Sequence, residues 1–429
     1  MPTIARLSAL EILDSRGRPT LRARCELSSG AVGVASIPSG ASRGAAEAVE
    51  LRDGDPERFE GLGCSRAAGH VGGEIHRRLA GCELTGQKDL DEALLVLDGT
   101  PDKARLGANA ILSTSLAFAR AVSIEREIPL HRYFAGLVDQ RPPRLPRPII
   151  NLFSGGKHAG GHVPIQDVLI VPRGQTISES LAMAYDVFQS AADLGWRKYA
   201  ARPLRADEGG LSPPFASVEG MLADGAESIQ RAGFQVGAEV ALAVDVAATH
   251  FFDRGMYALG TTRLDSDGMI DRLVSWQREY RLVSIEDGLA EEDWENWPRL
   301  AQRLKGEALV VGDDLLCTNP ERIRRAIALA AADALLLKVN QIGTVTEAAE
   351  SLRLARAAGW SITVSARSGD TEDDWLADLA VGWSSDQIKI GSITQSERLA
   401  KYNRLLEIEA GTGWPLVDWP AADTRGTRV

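Results

Sequence analysis

The sequence predicts an α/β protein: a small α+β domain followed by a closed (βα)8 barrel. Three observations point that way. The N-terminal stretch alternates in the strand manner and then turns helical, the pattern of a compact α+β unit. From residue 149 onward, short β-rich runs alternate with amphipathic helical runs, as in barrels and doubly wound sheets. A charged residue closes four of those runs. Ligands drawn from many successive strands fit the C-terminal rim of a closed barrel better than the single crevice of a doubly wound sheet.

The first domain is expected to span residues 1–138, with strands at 5–13, 20–27 and 32–37. A turn is expected at 14–19, and helices at 90–97 and 108–124. The run DQRPPRLPRP, residues 139–148, reads as a linker, because proline blocks both helix and central strand. The barrel and a C-terminal tail fill 149–429, with strands at 168–171, 240–244, 282–285, 309–311, 334–338 and 361–364. Helices at 177–194, 320–330 and 345–358 lie between them.

Bulk properties exclude some classes. The 429 residues, 44% hydrophobic and 25% charged, suffice for two cores. A net charge of -11 argues against nucleic acid as the main partner, since phosphate backbones attract a basic face. Four cysteines, Cys25, Cys64, Cys82 and Cys317, form neither a C-x-x-C pair nor a zinc-like spacing, and read as reduced thiols. No apolar run has membrane-spanning length, and the first residues lack the apolar core of a signal peptide. The expectation is a cytoplasmic protein with no membrane partner.

The chemistry-bearing residues stand at strand ends. Asp245, Glu286 and Asp313 each follow an apolar run. Singly, each would cap a turn. Gathered at one rim, three carboxylates repel one another unless a cation compensates, and oxygen donors suit Mg²⁺. Lys338 ends an apolar strand, where lost hydration lowers an ammonium pKa and makes a general base; a rim lysine that snorkels is the plainer reading. Lys389 repeats the pattern and could hold a substrate carboxylate. Glu208, beside Gly209 and Gly210, is a candidate general acid. His158 lies in a Gly-rich loop that could cover an anion, and the loop 38–44 with Ser39 could fold over a phosphate and lend a serine oxygen to a metal. In Ser365-Ala366-Arg367-Ser368-Gly369-Asp370-Thr371-Glu372-Asp373, the Arg367 fork and the Ser368 hydroxyl suit phosphoryl oxygens.

That last stretch resembles the S-H-R-S-G-E-T-E-D signature of enolases. Further likenesses follow in order: Glu11-Ile12-Leu13-Asp14-Ser15-Arg16-Gly17, Pro38-Ser39-Gly40-Ala41-Ser42, Ser284-Ile285-Glu286-Asp287, Leu337-Lys338-Val339-Asn340-Gln341 and Ser396-Glu397-Arg398-Leu399. The resemblance implies a modified enolase-type barrel behind an α+β cap domain, and a homodimer. It implies Mg²⁺ on Asp245, Glu286 and Asp313, with Ser39 serving a second Mg²⁺. It makes Lys338 the base at C2 of 2-phosphoglycerate, and Glu208 the group that assists departure of the C3 hydroxyl. Lys389 would meet the substrate carboxylate, and Arg367 and Ser368 the phosphate.

Three positions depart from the family pattern. Ala366 replaces its histidine, Asp167 in Gln166-Asp167 replaces a glutamate, and Gln395 replaces an arginine. An alanine moves no proton, and a shortened acid withdraws from its target. The space at Ala366 suggests room for a second anion, with His158, Gln166 and Asp167 at the same altered side. Among enolase-like enzymes this profile is similar to carboxyphosphonoenolpyruvate synthase of phosphinate natural-product biosynthesis, which would join phosphonoformate to an enolpyruvate unit. Phosphopyruvate hydratase and a non-catalytic enolase-fold binding protein are the alternatives. The expected ligands are small phosphorylated or phosphonate carboxylic acids.

Overall fold

The computed structural model describes residues 1–40, 44–139 and 141–418. The middle of the loop expected at 38–44, residues 41–43, and the last part of the tail lie outside the described residues.

The cap opens with an antiparallel sheet of β1 (Ile4–Leu13), β2 (Pro19–Leu27) and β3 (Val32–Ser36), in that order. The turn between β1 and β2 is built on Asp14, whose carboxylate accepts from the N–H groups of Arg16 at 2.8 Å and Arg18 at 3.0 Å. Leu21, Ala23, Cys25 and Leu27 alternate inward from β2. They meet the helix Ala108–Glu125, which is buried over most of its length and reads as almost wholly apolar for that reason. Gly33 permits the close approach: a Cβ there would stand 2.1 Å from the Ala117 carbonyl oxygen. The helix Gln87–Asp98 completes the cap. A further irregular helical stretch, Ser65–His70, Val71–Ile75 and His76–Leu79, went unread in the sequence because Gly69, Gly72 and Gly73 interrupt its pattern.

The second domain is a closed eight-stranded barrel. It begins with β4 (Arg147–Ser154), β5 (Asp167–Pro172) and β6 (Val240–Asp245). A small outer sheet of β7 (Phe252–Asp253), β8 (Met256–Leu259) and β9 (Thr262–Leu264) follows. The barrel resumes with β10 (Leu282–Glu286), β11 (Leu309–Gly312), β12 (Ala334–Leu337), β13 (Ser361–Ser365) and β14 (Gln387–Gly391), and β14 closes on β4. β5 runs antiparallel to β4 and β6, while the other barrel pairs are parallel. The barrel is therefore a modified one. Its interior is packed by Ile149, Leu169, Val171, Ala241, Val311 and Leu336, among others.

The linker reading is corrected at its end. Arg147 and Pro148 already belong to β4, paired with Gln387 and Ile388 of β14. Proline is accommodated because pairing with β5 begins only at Ile150, so no ladder bond is lost on that side. The expected helices form as Ile177–Tyr199, Pro320–Leu329 and Val345–Ala357, each opened by a side-chain cap from Thr176, Asn319 or Thr344.

Cap and barrel are sewn together where β3 meets the loop after β13. Ser39 and Gly369 exchange two backbone hydrogen bonds, of 2.7 and 3.0 Å. Asp373 accepts from Ser36 N at 2.7 Å and from both Arg120 amino groups. Among the described residues, no helix is long and apolar enough to cross a membrane.

Candidate active site

The rim at the C-terminal ends of the parallel strands collects the charged groups. Asp245 ends β6, Glu286 ends β10 and pairs with it in register, and Asp313 follows β11. All three are buried. Because β5 is reversed, its first residue reaches the same rim: Asp167 lies opposite Asp245 on one side and Ser154 on the other. Lys338 just beyond β12 and Lys389 within β14 complete the ring.

The two ammonium groups neutralise the acids. Lys389 Nζ donates to Asp245 Oδ2 and to both Glu286 oxygens, each at 2.8 Å. Lys338 Nζ donates to Asp313 Oδ2 at 2.5 Å, and Gln341 Nε2 donates to Asp313 Oδ1 at 3.0 Å. Burial most strongly opposes ionisation of Asp245, but the Lys389 charge, hydrogen bonds from Glu286 and Lys389, and the Lys338 charge together outweigh it and draw the carboxyl down to about 2. Glu286 goes the other way, raised well above the usual range by burial and by the Asp245 charge. One ammonium matches one carboxylate, and the raised Glu286 shows that a second negative charge beside Asp245 is unfavourable without a further cation. Hard oxygen donors with a charge deficit fit a divalent cation, and Asp245, Glu286 and Asp313 are the residues that would hold it.

The expected lowering of the Lys338 pKa is overturned. Burial is the largest single influence and favours the neutral amine, yet the charges of Asp313 and Glu286 together outweigh it and the pKa is raised. The lysine stands here as an ammonium.

Ser39 does not join the carboxylates. Its hydroxyl donates to Glu50 Oε2 at 3.0 Å and accepts from Arg52 at 2.7 Å, so the expected metal role is not supported by the arrangement. Its backbone instead braces the phosphate-clamp loop through Gly369. A second acid group, Asp287, Asp313 and Asp314, is compact. Asp287, though, spends both oxygens on the backbone N–H groups of Asp313 and Asp314, at 2.9 and 2.7 Å, and so shapes the turn that presents Asp313.

Opposite the lysines lies a proton-holding group. His158 is buried against Asp167, with Nδ1 at 3.2 Å from Oδ2, and its Nε2 lies 3.9 Å from Glu208 Oε1. The Gly-rich loop thus carries its histidine inward to carboxylates rather than over an anion. Burial disfavours the imidazolium, but Asp167 and Glu208 outweigh it and lift the ring to about 9. Burial raises Asp167, despite His158. Glu208 is lowered: burial is outweighed by His158, Arg398 and Lys389. The proton assigned to Glu208 in the sequence reading therefore resides on His158. Its contribution to stability is complete below the ordinary imidazole value of 6.5 and is lost as pH rises through about 9. Asp167→Asn removes the largest raising charge, so the His158 midpoint should fall by about one unit or more in an NMR titration. An unchanged midpoint would show that Asp167 is not its partner.

Two amides flank this group. Asn151 Nδ2 donates to Glu208 Oε2 at 3.0 Å, and Gln166 Nε2 donates to Asp245 Oδ2 at 3.1 Å. Facing carboxylates fixes their orientation, and the carbonyl oxygens of both have no partner among the described residues.

The clamp is positioned by Arg398, fully buried, whose guanidinium donates to the carbonyl oxygens of Arg367, Ser368 and Ile390. Arg16 donates to Ser368 Oγ at 3.3 Å. Arg367 itself grips Glu47 with both amino groups, at 3.0 and 3.1 Å. Ala366 is buried beside Lys389, whose carbonyl oxygen accepts its N–H at 2.9 Å. Gln395 is not among these contacts; its side chain leans toward the Ala206 carbonyl, at 3.4 Å.

Glu47, Asn151, Asp287, Asn340 and Gln341 were not read from the sequence as site residues. Asn340 and Gln341 sit two and three places after Lys338, a spacing that could have drawn attention. Glu47 gives no such signal, since it lies 320 residues from Arg367.

An acid-and-lysine rim at the C-terminal face defines an enzyme of the barrel class. Residues 143–415 match the family model described as Enolase, C-terminal TIM barrel domain, and residues 4–134 match Enolase, N-terminal domain. The chain belongs to the enolase family. Members typically use Mg²⁺; among the described residues, the compact groups consistent with a metal are His158–Asp167–Glu208 and Asp287–Asp313–Asp314, the second sharing Asp313 with the rim set.

Proposed function

We propose that the protein is a Mg²⁺-dependent lyase-type enzyme that generates an enolate from 2-phosphoglycerate and joins the enolpyruvate unit to a second anion such as phosphonoformate. The observation that carries this reading is a full set of charges suited to an enolate, at a rim where the buried Ala366 stands in place of the family histidine. Lys338, held as an ammonium by Asp313, must first give up a proton; its neutral Nζ then takes the proton from the carbon next to the carboxylate. Lys389 faces the carboxylate, and Arg367 with Ser368 binds the phosphate. The His158–Glu208 pair delivers a proton to the departing C3 hydroxyl. Asp245, Glu286 and Asp313 would hold a divalent cation, and the cation would supply positive charge where charge develops on the substrate carboxylate. A phosphonoformate oxygen would then bond to C2 of the enolpyruvate unit as the C2–O bond to phosphate breaks, giving carboxyphosphonoenolpyruvate and free phosphate.

The second reading is dehydration alone, converting 2-phosphoglycerate into phosphoenolpyruvate and water. The proton group of His158, Asp167 and Glu208 favours it. Incubation with Mg²⁺ and 2-phosphoglycerate, followed by ultraviolet absorbance and phosphorus NMR, separates the two. Brisk formation of phosphoenolpyruvate that ignores phosphonoformate would support dehydration. A new phosphinate-range signal that appears only with phosphonoformate supports the joining reaction. No turnover of either kind removes both.

A further inference from the structure

The anion clamp contains one donor that nothing fills. Arg367 Nη1 donates to Asn340 Oδ1 at 3.1 Å. A guanidinium only donates, so the amide oxygen must face it and the amide nitrogen must turn to the other side. That nitrogen has no hydrogen-bond partner among the described residues, although Asn340 is only 6% exposed. The short helix Val339–Ile342, directly after Lys338, fixes the residue in place.

The present occupant of the clamp explains the vacancy. Glu47 offers a planar carboxylate with two oxygens, and the two amino groups of Arg367 engage both. Nothing remains for the Asn340 amide. A phosphoryl or phosphonyl group carries three terminal oxygens. Two can replace those of Glu47 on Arg367, and the third can accept from Asn340 Nδ2. A carboxylate gripped side-on by Arg367, as Glu47 is, has no third oxygen to turn toward Asn340, and a buried donor left unmet is costly.

We infer that Asn340 is a specificity-determining third donor of the clamp, selecting a three-oxygen phosphoryl or phosphonyl group over a carboxylate. The inference rests on the proposed reading of Arg367 as the anion ligand. Glu47 acts as an internal carboxylate that any incoming anion displaces, so it weakens all such ligands by one common factor.

Phosphonoacetate and malonate test this, because they differ only in carrying a phosphonate or a second carboxylate. Both are titrated calorimetrically into the full-length protein with Mg²⁺, and the ratio of their affinities is the readout. Wild type should prefer phosphonoacetate, and Asn340→Ala should reduce the ratio about tenfold by weakening phosphonoacetate alone. Glu47→Gln should tighten both ligands equally and leave the ratio unchanged. Equal weakening of both ligands by Asn340→Ala would reveal a merely structural residue and overturn the inference. So would an unchanged ratio, or wild-type protein that binds the two ligands equally or not at all. Should Asn340→Ala fail to fold, Asn340→Asp removes the donor while keeping the shape, and its ratio is read in the same way. Discrimination without any turnover of 2-phosphoglycerate would sustain the clamp inference and remove the proposed reaction; turnover without discrimination would do the reverse.

Discussion

Replacing Lys338 by alanine is expected to lower turnover of 2-phosphoglycerate by about 10²–10⁴-fold, the range for a positioned proton-transfer group. Lys338 follows β12, and its Nζ is fixed on Asp313. Alanine removes the only atom of that side chain able to accept a proton. Substrate affinity should change less, because Arg367, Ser368 and Lys389 are untouched. The direct measurement is exchange of the C2 hydrogen with deuterated solvent, which isolates proton removal from every later step. Exchange that persists at the wild-type rate would end the case for Lys338 as base.

Lys389→Met should act chiefly on stability. The ammonium is buried and neutralises Asp245 and Glu286 together. Its removal leaves buried carboxylates without their counter-charge, a loss of about 3–5 kcal/mol in metal-free protein. A Mg²⁺ ion that binds the folded acid set and not the unfolded chain should raise the unfolding midpoint of the variant more than that of wild type. Denaturant titrations with and without Mg²⁺ give the answer. A variant as stable as wild type, or one indifferent to Mg²⁺, would contradict the view of these acids as a cation site.

Much of this rim was legible because barrel strands are buried on both faces. Their sequences are uninterrupted apolar runs, and a charged residue at the end stands out, as at Asp245, Glu286, Asp313 and Lys338. An apolar run has no visible direction, however. Residues 168–171 read equally well as a parallel strand, and the reversal of β5 emerges only from pairing. The sign of the Lys338 shift was hidden for a related reason. The sequence shows the apolar strand that would lower it, but not the carboxylate, 25 residues away, that raises it. Ser39 was placed on the metal by motif alone, whereas the fold gives its hydroxyl to Glu50 and Arg52. Proline count misjudged residues 147–148, since a strand end needs fewer N–H groups than its middle.

The backward strand also has an evolutionary meaning. It puts the imidazole and its carboxylate on one short hairpin, nine positions apart, while the lysines and the other acids each come from a separate strand. A change within residues 154–167 therefore alters that imidazole and its carboxylate together, while Glu208 and Lys338 lie outside the segment and Gln166 ties it to Asp245.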